Sequence, residues 1–138
     1  MVVVEVTAKA DEPYRTEISA GSHHFAADVP TDKGGMDTAS TPHELLLGAL
    51  GACTAITIEM YAKRKGWDLG PVEVQCEYTP AERGCPTKFS LRLRLASGCT
   101  ADQIERLRVI AAKCPVHRAL EGEVMFEDHI ELTEPARV

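Results

Sequence analysis

Apolar and polar positions alternate over the first thirty residues. Residues 2–8 predict one strand, and residues 15–19 followed by 23–29 predict a hairpin turning at Ala20-Gly21-Ser22. Residues 30–41, PTDKGGMDTAST, are turn formers and predict a loop. The period then changes. Thr41-Pro42-His43-Glu44 puts Thr at an N-cap, Pro at the first helical position and Glu at the third, a capping box in which both side-chain oxygens accept orphaned backbone N–H groups. The helix it opens should run to Lys63-Arg64-Lys65, cations that suit the negative end of its dipole, and stop at Gly66.

Two amphipathic strands follow. Val72, Val74, Cys76 and Tyr78 alternate with polar residues, as do Phe89, Leu91, Leu93 and Leu95, with a hairpin connection over residues 79–86. A second helix starts at Thr100, again with a capping box (Thr100 and Gln103), and extends to about Lys113. Cys99 and Ile104 occupy the two positions of a hydrophobic staple across its start. Pro115 interrupts the pattern, a short helix covers residues 115–121 up to Gly122, and residues 124–132 predict a last strand. The order β-β-β-α-β-β-α-α-β predicts an α+β fold, and 138 residues suit a single domain, 1–138.

The middle of the long helix, LLLGALGACTAITI, is apolar on nearly every face, which calls for protein on all sides. A helix of about 24 residues is about 36 Å long, more than so short a chain readily wraps. A second subunit is one way to cover it, with Gly48 and Gly51 permitting close approach; packing against a sheet of the same chain is the other. The uncharged stretch, residues 45–58, falls short of the roughly 20 residues of a membrane span, so no membrane partner is expected.

A net charge of -6 with no basic run argues against a nucleic-acid partner. The N-terminal residues lack a basic leader, and five cysteines at scattered spacing do not form a disulfide framework, so a cytoplasmic location is expected. Neither a glycine-rich phosphate loop nor a Gly-x-Ser-x-Gly elbow occurs, and no cofactor is expected.

Candidate chemistry rests on the thiols. Cys53 lies in the apolar helix, where a thiol commonly serves as a small core hydrophobe. Cys114 directly precedes Pro115, at the N-cap of the short helix, where backbone N–H groups stabilise a thiolate; His117 and Arg118 add positive character one turn on. Cys76 reads as strand core, Cys99 as a staple residue and Cys85 as a turn thiol. A zinc site would need a second ligand pair beside Cys114 and His117. None has that spacing, and His23 and His24 point to opposite faces of a strand, so no metal is expected.

Taken together, residues 41–53 (TPHELLLGALGAC) and 113–120 (KCPVHRAL) resemble the two signatures of the OsmC/Ohr family, in order and on the expected elements. Tyr61-Ala-Lys-Arg-Lys-Gly-Trp67 is similar to a helix end of one OsmC-like branch. The resemblance covers essentially the whole chain. It implies an OsmC-like fold, antiparallel sheets around a long central helix, in an intertwined homodimer with the cysteines near the interface. It also implies a thiol-dependent peroxidase of organic hydroperoxides or hydrogen peroxide. Cys53 would become a sulfenic acid, Cys114 would resolve it as a disulfide, and an external dithiol would restore both. A non-enzymatic redox-sensing or ligand-binding protein is the alternative. The family's glutamate, which orients an arginine over the reactive cysteine, directly follows the proline. Here His43 stands there and Glu44 comes one residue later, about 100° further round the helix. Arg15, the only arginine in the first third, is the candidate cation. The expected site is therefore Cys53, Cys114, Arg15 and Glu44 for chemistry, with His43 and His117 for binding.

Overall fold

A computed structural model describes residues 1–96 and 98–133. The N-terminal strands β1 (Glu5–Ala8), β2 (Thr16–Ala20) and β3 (His23–Ala27) form an antiparallel sheet in the order β1-β2-β3. The β2–β3 register, Ile18 opposite Phe25 and Ala20 opposite His23, is closed by Gly21 at φ 62, a conformation glycine adopts without penalty. The first strand is shorter than its run of valines predicts, because Val2 to Val4 have no partner strand and remain exposed. The third ends at Ala27 rather than residue 29, where the Asp28 carboxylate takes up the Val29 and Thr38 N–H groups.

Helix α1 (Pro42–Lys65) follows its sequence signals closely. Glu44 N–H donates to Thr41 Oγ1 (3.2 Å) and Thr41 N–H to Glu44 Oε1 (2.9 Å). Gly66 (φ 71) and Trp67 donate back to Lys63 and Ala62, a paired ending that closes the last turn. Thr41→Ala should remove about 1 kcal/mol of stability and lower the melting temperature by about 4 °C, readable by calorimetry.

Strands β4 (Glu73–Thr79) and β5 (Lys88–Arg94) pair antiparallel, with Val74 opposite Leu93 and Cys76 opposite Leu91. Helix α1 packs on β4 and also on α2 (Ala101–Ala111) and α3 (Pro115–Glu121). The core cluster joins these elements through Ile58, Tyr61, Ala62, Leu69, Leu107 and Ala111, with Trp67 and Cys99 against it; β1–β3 contribute nothing to it. Gly51 is used within the chain, since a Cβ there would sit 3.1 Å from Cys76 Sγ, whereas Gly48 meets nothing.

Only one stripe of α1 is buried: Leu50, Thr54, Ile58 and Tyr61-Ala62, at helical spacing. A second stripe, Ala52, Ile56 and Met60, is exposed, Ile56 at 51% and Met60 at 66%. By length and composition α1 is apolar enough to cross a membrane, a test that a core helix passes as well. The predicted last strand is corrected. Residues 123–133 form no strand, because no strand among the described residues pairs with them, and Ile130 and Leu132 are more than 90% exposed.

Candidate functional site

Cys53 sits on α1 and Cys114 at the start of α3, 61 residues later. The proline after Cys114 accounts for the placement. Pro115 can donate no N–H and disfavours helical geometry in the residue before it, so α2 cannot run on. Cys114 adopts φ -54, ψ 133, and the chain restarts as α3 against α1, with Arg118 N–H bonding the Cys114 carbonyl at 3.0 Å.

The two thiols lie near enough for each to act on the other's ionisation. Both are free; Cys114 is wholly enclosed by the chain and Cys53 half-buried. Burial pushes Cys53 above the usual thiol value, and the Cys114 sulfur raises it further as hydrogen-bond partner and as charge. The Val116 N–H and Thr57 hydroxyl pull the other way without cancelling this. For Cys114, burial also raises, but the Cys53 thiol, the His117 N–H, the Thr54 hydroxyl and the Val116 N–H outweigh it, and the net shift is downward. Of the two thiols, Cys114 is therefore the one whose ionisation its surroundings favour, with backbone donors and the Cys53 thiol turned toward it.

The remaining expected residues are dispersed. Arg15 is anchored in the N-terminal unit: its Nε lies 3.1 Å from Glu17 Oε1 and 3.4 Å from Glu12 Oε2, and its Nη1 donates to Thr38 Oγ1 at 2.7 Å. None of its recorded hydrogen bonds or ion pairs, among the described residues, reaches Cys53. Glu44 is committed to its capping box, which also lowers its pKa through the Thr41 N–H and hydroxyl. Nine residues separate it from Cys53, about 900° or half a turn out of phase, so it lies on the opposite helix face.

His43 stacks on Tyr78 of β4, ring centroids 4.8 Å apart, and Tyr78 meets Phe89 at 5.6 Å. Phe89 belongs to a cleft of about 430 Å³ walled by Leu50, Leu91 and Leu120, with His117 and Glu121 as polar members. His117 Nδ1 is buried and unbonded, 3.5 Å from Glu121 Oε2 but not aligned with it. His117 thus serves Cys114 through its backbone and the cleft through its ring. The cleft volume falls within the range of small-molecule sites.

Two features had escaped the sequence. One is Thr54, fully buried next to Cys53; a hydroxyl inside an apolar helix was the available signal. The other is the loop before α1. Thr38 donates its hydroxyl (2.6 Å) and N–H (3.0 Å) to Asp28 Oδ2 while accepting from Arg15. Asp28 is held at about 2 against an ordinary 3.8, first by the Thr38 hydroxyl, then by the Thr38 and Val29 N–H groups, burial opposing. Its folded pKa lies below its unfolded one, so its stabilisation is complete above the unfolded value and disappears as pH falls through about 2. Wild type should therefore lose its margin over Asp28→Asn across that acid window, measured by urea unfolding at each pH.

The OsmC-like protein family profile matches residues 34–127, a span that includes both Cys53 and Cys114. The chain belongs to the OsmC-like family. Among solved structures, an OsmC-like protein from Mycoplasma pneumoniae superposes with a TM-score of 0.74 at 16% identity, covering 88% of each chain. The organic hydroperoxide resistance protein OsmC of Legionella pneumophila gives 0.66 at 20% identity, covering 88% of this chain and 90% of that one. The organic hydroperoxide resistance protein OhrB of Bacillus subtilis gives 0.60 at 19% identity, covering 88% and 91%. At such identities the likeness is one of fold. No curated protein sequence matches the chain. The OsmC-like match begins at Gly34, so it takes in His43, Glu44 and His117 and leaves Arg15 outside.

Proposed function

We propose that this OsmC-like protein is a cysteine-based, thiol-dependent peroxidase acting on organic hydroperoxides or hydrogen peroxide. The observation that carries the reading is the thiol pair: Cys53 on α1 and Cys114 at the start of α3 lie near enough to act on each other's ionisation. Cys53 is the attacking sulfur because it is the less enclosed of the two. When the shared proton resides on Cys114, Cys53 is the thiolate. It attacks the distal peroxide oxygen, the O–O bond breaks, and the alkoxide leaves and takes up a proton as the alcohol. The resulting sulfenic acid is attacked by the Cys114 thiolate, forming a disulfide and releasing hydroxide, protonated to water. An external dithiol then reduces the pair and becomes a disulfide itself.

Purified protein should consume cumene hydroperoxide in the presence of a dithiol, and Cys53→Ser should fall to the uncatalysed background. Equal rates for the two proteins would refute the peroxidase reading. One observation favours a non-enzymatic redox sensor or ligand-binding protein instead: Arg15 and Glu44 are engaged elsewhere, and among the described residues no cation acts on Cys53. Saturable ligand protection in a thermal-shift screen, without peroxide turnover, would support that alternative.

The same proposal includes an intertwined homodimer. The uncovered Ala52–Ile56–Met60 stripe and the unpaired, exposed apolar residues of 124–132 are what a second copy would cover. Light scattering should give twice the chain mass, and Ile56→Asp should shift it toward the monomer. A monomeric wild type at micromolar concentration would refute the assembly.

A further inference from the structure

We infer that the cleft beside the thiol pair holds the organic part of the substrate, and that Glu121 makes it select uncharged aryl or branched-alkyl groups over carboxylates. The step from ligand to hydroperoxide rests on the peroxidase reading above; the selection by charge does not. The cleft adjoins both cysteines through their own helices. Leu50 stands three residues before Cys53 on α1, and His117 three residues after Cys114, each within one turn of helix, about 5 Å. A group held between Leu50 and His117 thus lies beside the pair.

The walls define what fits. Leu50, Phe89, Leu91 and Leu120 are hydrocarbon, and a volume of about 430 Å³ has room for a compact ring or branched chain. Strand alternation keeps the neighbouring charges out. With Phe89 and Leu91 turned to the cleft, Ser90 and Arg92 sit with Gln75 and Glu77 on the other face of the sheet. Among the described residues no lysine or arginine lines the cleft, and Glu121 is the one carboxylate that does. Its side chain is 61% exposed, which puts it at the rim. His117 Nδ1 lies 3.5 Å from Glu121 Oε2 without an aligned hydrogen bond between them. With a neutral imidazole, the only formal charge at the cleft is therefore negative. A carboxylate entering between these walls gives up hydration and gains no cation in return, whereas a neutral ring loses little.

The test follows binding of redox-inert ligands to reduced, full-length protein by calorimetry at about pH 8, above the ordinary imidazole range. The probes are para-isopropylbenzamide and para-isopropylbenzoate, which match in shape and differ in charge. The amide should bind, and the benzoate should bind about fivefold more weakly, the size of one exposed charge contact. Glu121→Gln should bring the two within about twofold of each other. Leu120→Trp fills the cleft from an exposed position and should abolish binding of the amide. Thr87→Trp, also exposed, gives the same reading if the first variant does not fold, as judged by circular dichroism. No saturable binding of the amide to wild type would overturn the inference. So would equal binding of the benzoate, a ratio unmoved in Glu121→Gln, or amide binding unchanged by tryptophan in the cleft. The measurement involves no peroxide. A protein that shows the selection but turns over no hydroperoxide loses only the peroxidase reading, and an active peroxidase that binds both probes equally loses only the selection.

Discussion

Cys114→Ser should permit one oxidation of Cys53 and then stop. With no second sulfur to displace hydroxide, the sulfenic acid has no partner in the pocket, and a dithiol from solution must reach a half-buried atom directly. Turnover with a dithiol should fall by about two orders of magnitude or more, on the scale of losing a group that acts as a unit with its partner. The first oxidation should survive, and dimedone should label Cys53 alone after exposure to hydroperoxide.

A second consequence has a definite sign. Cys114 raises the Cys53 pKa through its hydrogen bond and its charge, so its removal lets Cys53 ionise at lower pH. Alkylation of Cys53 should shift to lower pH in Cys114→Ser. Cys53→Ala should do the reverse to Cys114, which loses the thiol that donates to it. Full multiple turnover by Cys114→Ser, or an upward shift of Cys53, would remove Cys114 from the resolving role.

The largest stability effect is expected at Gly35→Ala. Gly35 is buried in the loop that leads into α1, and a Cβ there would lie 2.1 Å from the Val29 carbonyl oxygen and 2.6 Å from Val29 Cγ2. The first of these is backbone, so no rotamer change relieves it. The loop is also cross-linked around that point: Gly35 N–H bonds Pro30 O (3.1 Å), Asp37 N–H bonds Val29 O (3.1 Å), and Thr38 bonds Asp28. Displacing Gly35 therefore strains several hydrogen bonds together. A loss of about 3 kcal/mol is expected, seen as a lower urea midpoint with an unchanged slope. Because Thr38 also accepts from Arg15, the variant should loosen that one bond and leave the arginine to Glu12 and Glu17. Gly48→Ala is the control: nothing lies within 4 Å of the added methyl, and the better helix propensity should leave stability unchanged or slightly higher.

Much of the architecture was legible along the chain because the signals are local. Both capping boxes, the stop at Gly66 and the alternation in β4 and β5 involve residues within four positions of each other, so the sequence spells out their geometry. The prediction at residues 124–132 did not survive for the converse reason. Alternation says that a segment can pair, but a strand exists only when another edge is present, and the described residues of the single chain present none there.

The sequence alone marked out the candidate residues: a thiol inside an apolar helix, a thiol fixed by proline at a helix start, and a glutamate consumed by its cap half a turn away. Only the tertiary structure decided what those thiols do to each other. A pKa depends on the donors and charges within a few ångströms; the Val116 and His117 N–H groups come with the local start of α3, but Thr54 and Cys53 act on Cys114 only because α3 folds back onto α1. The same holds for Arg15, whose guanidinium bonds Thr38, 23 residues on in sequence, and Thr38 is in turn held by Asp28.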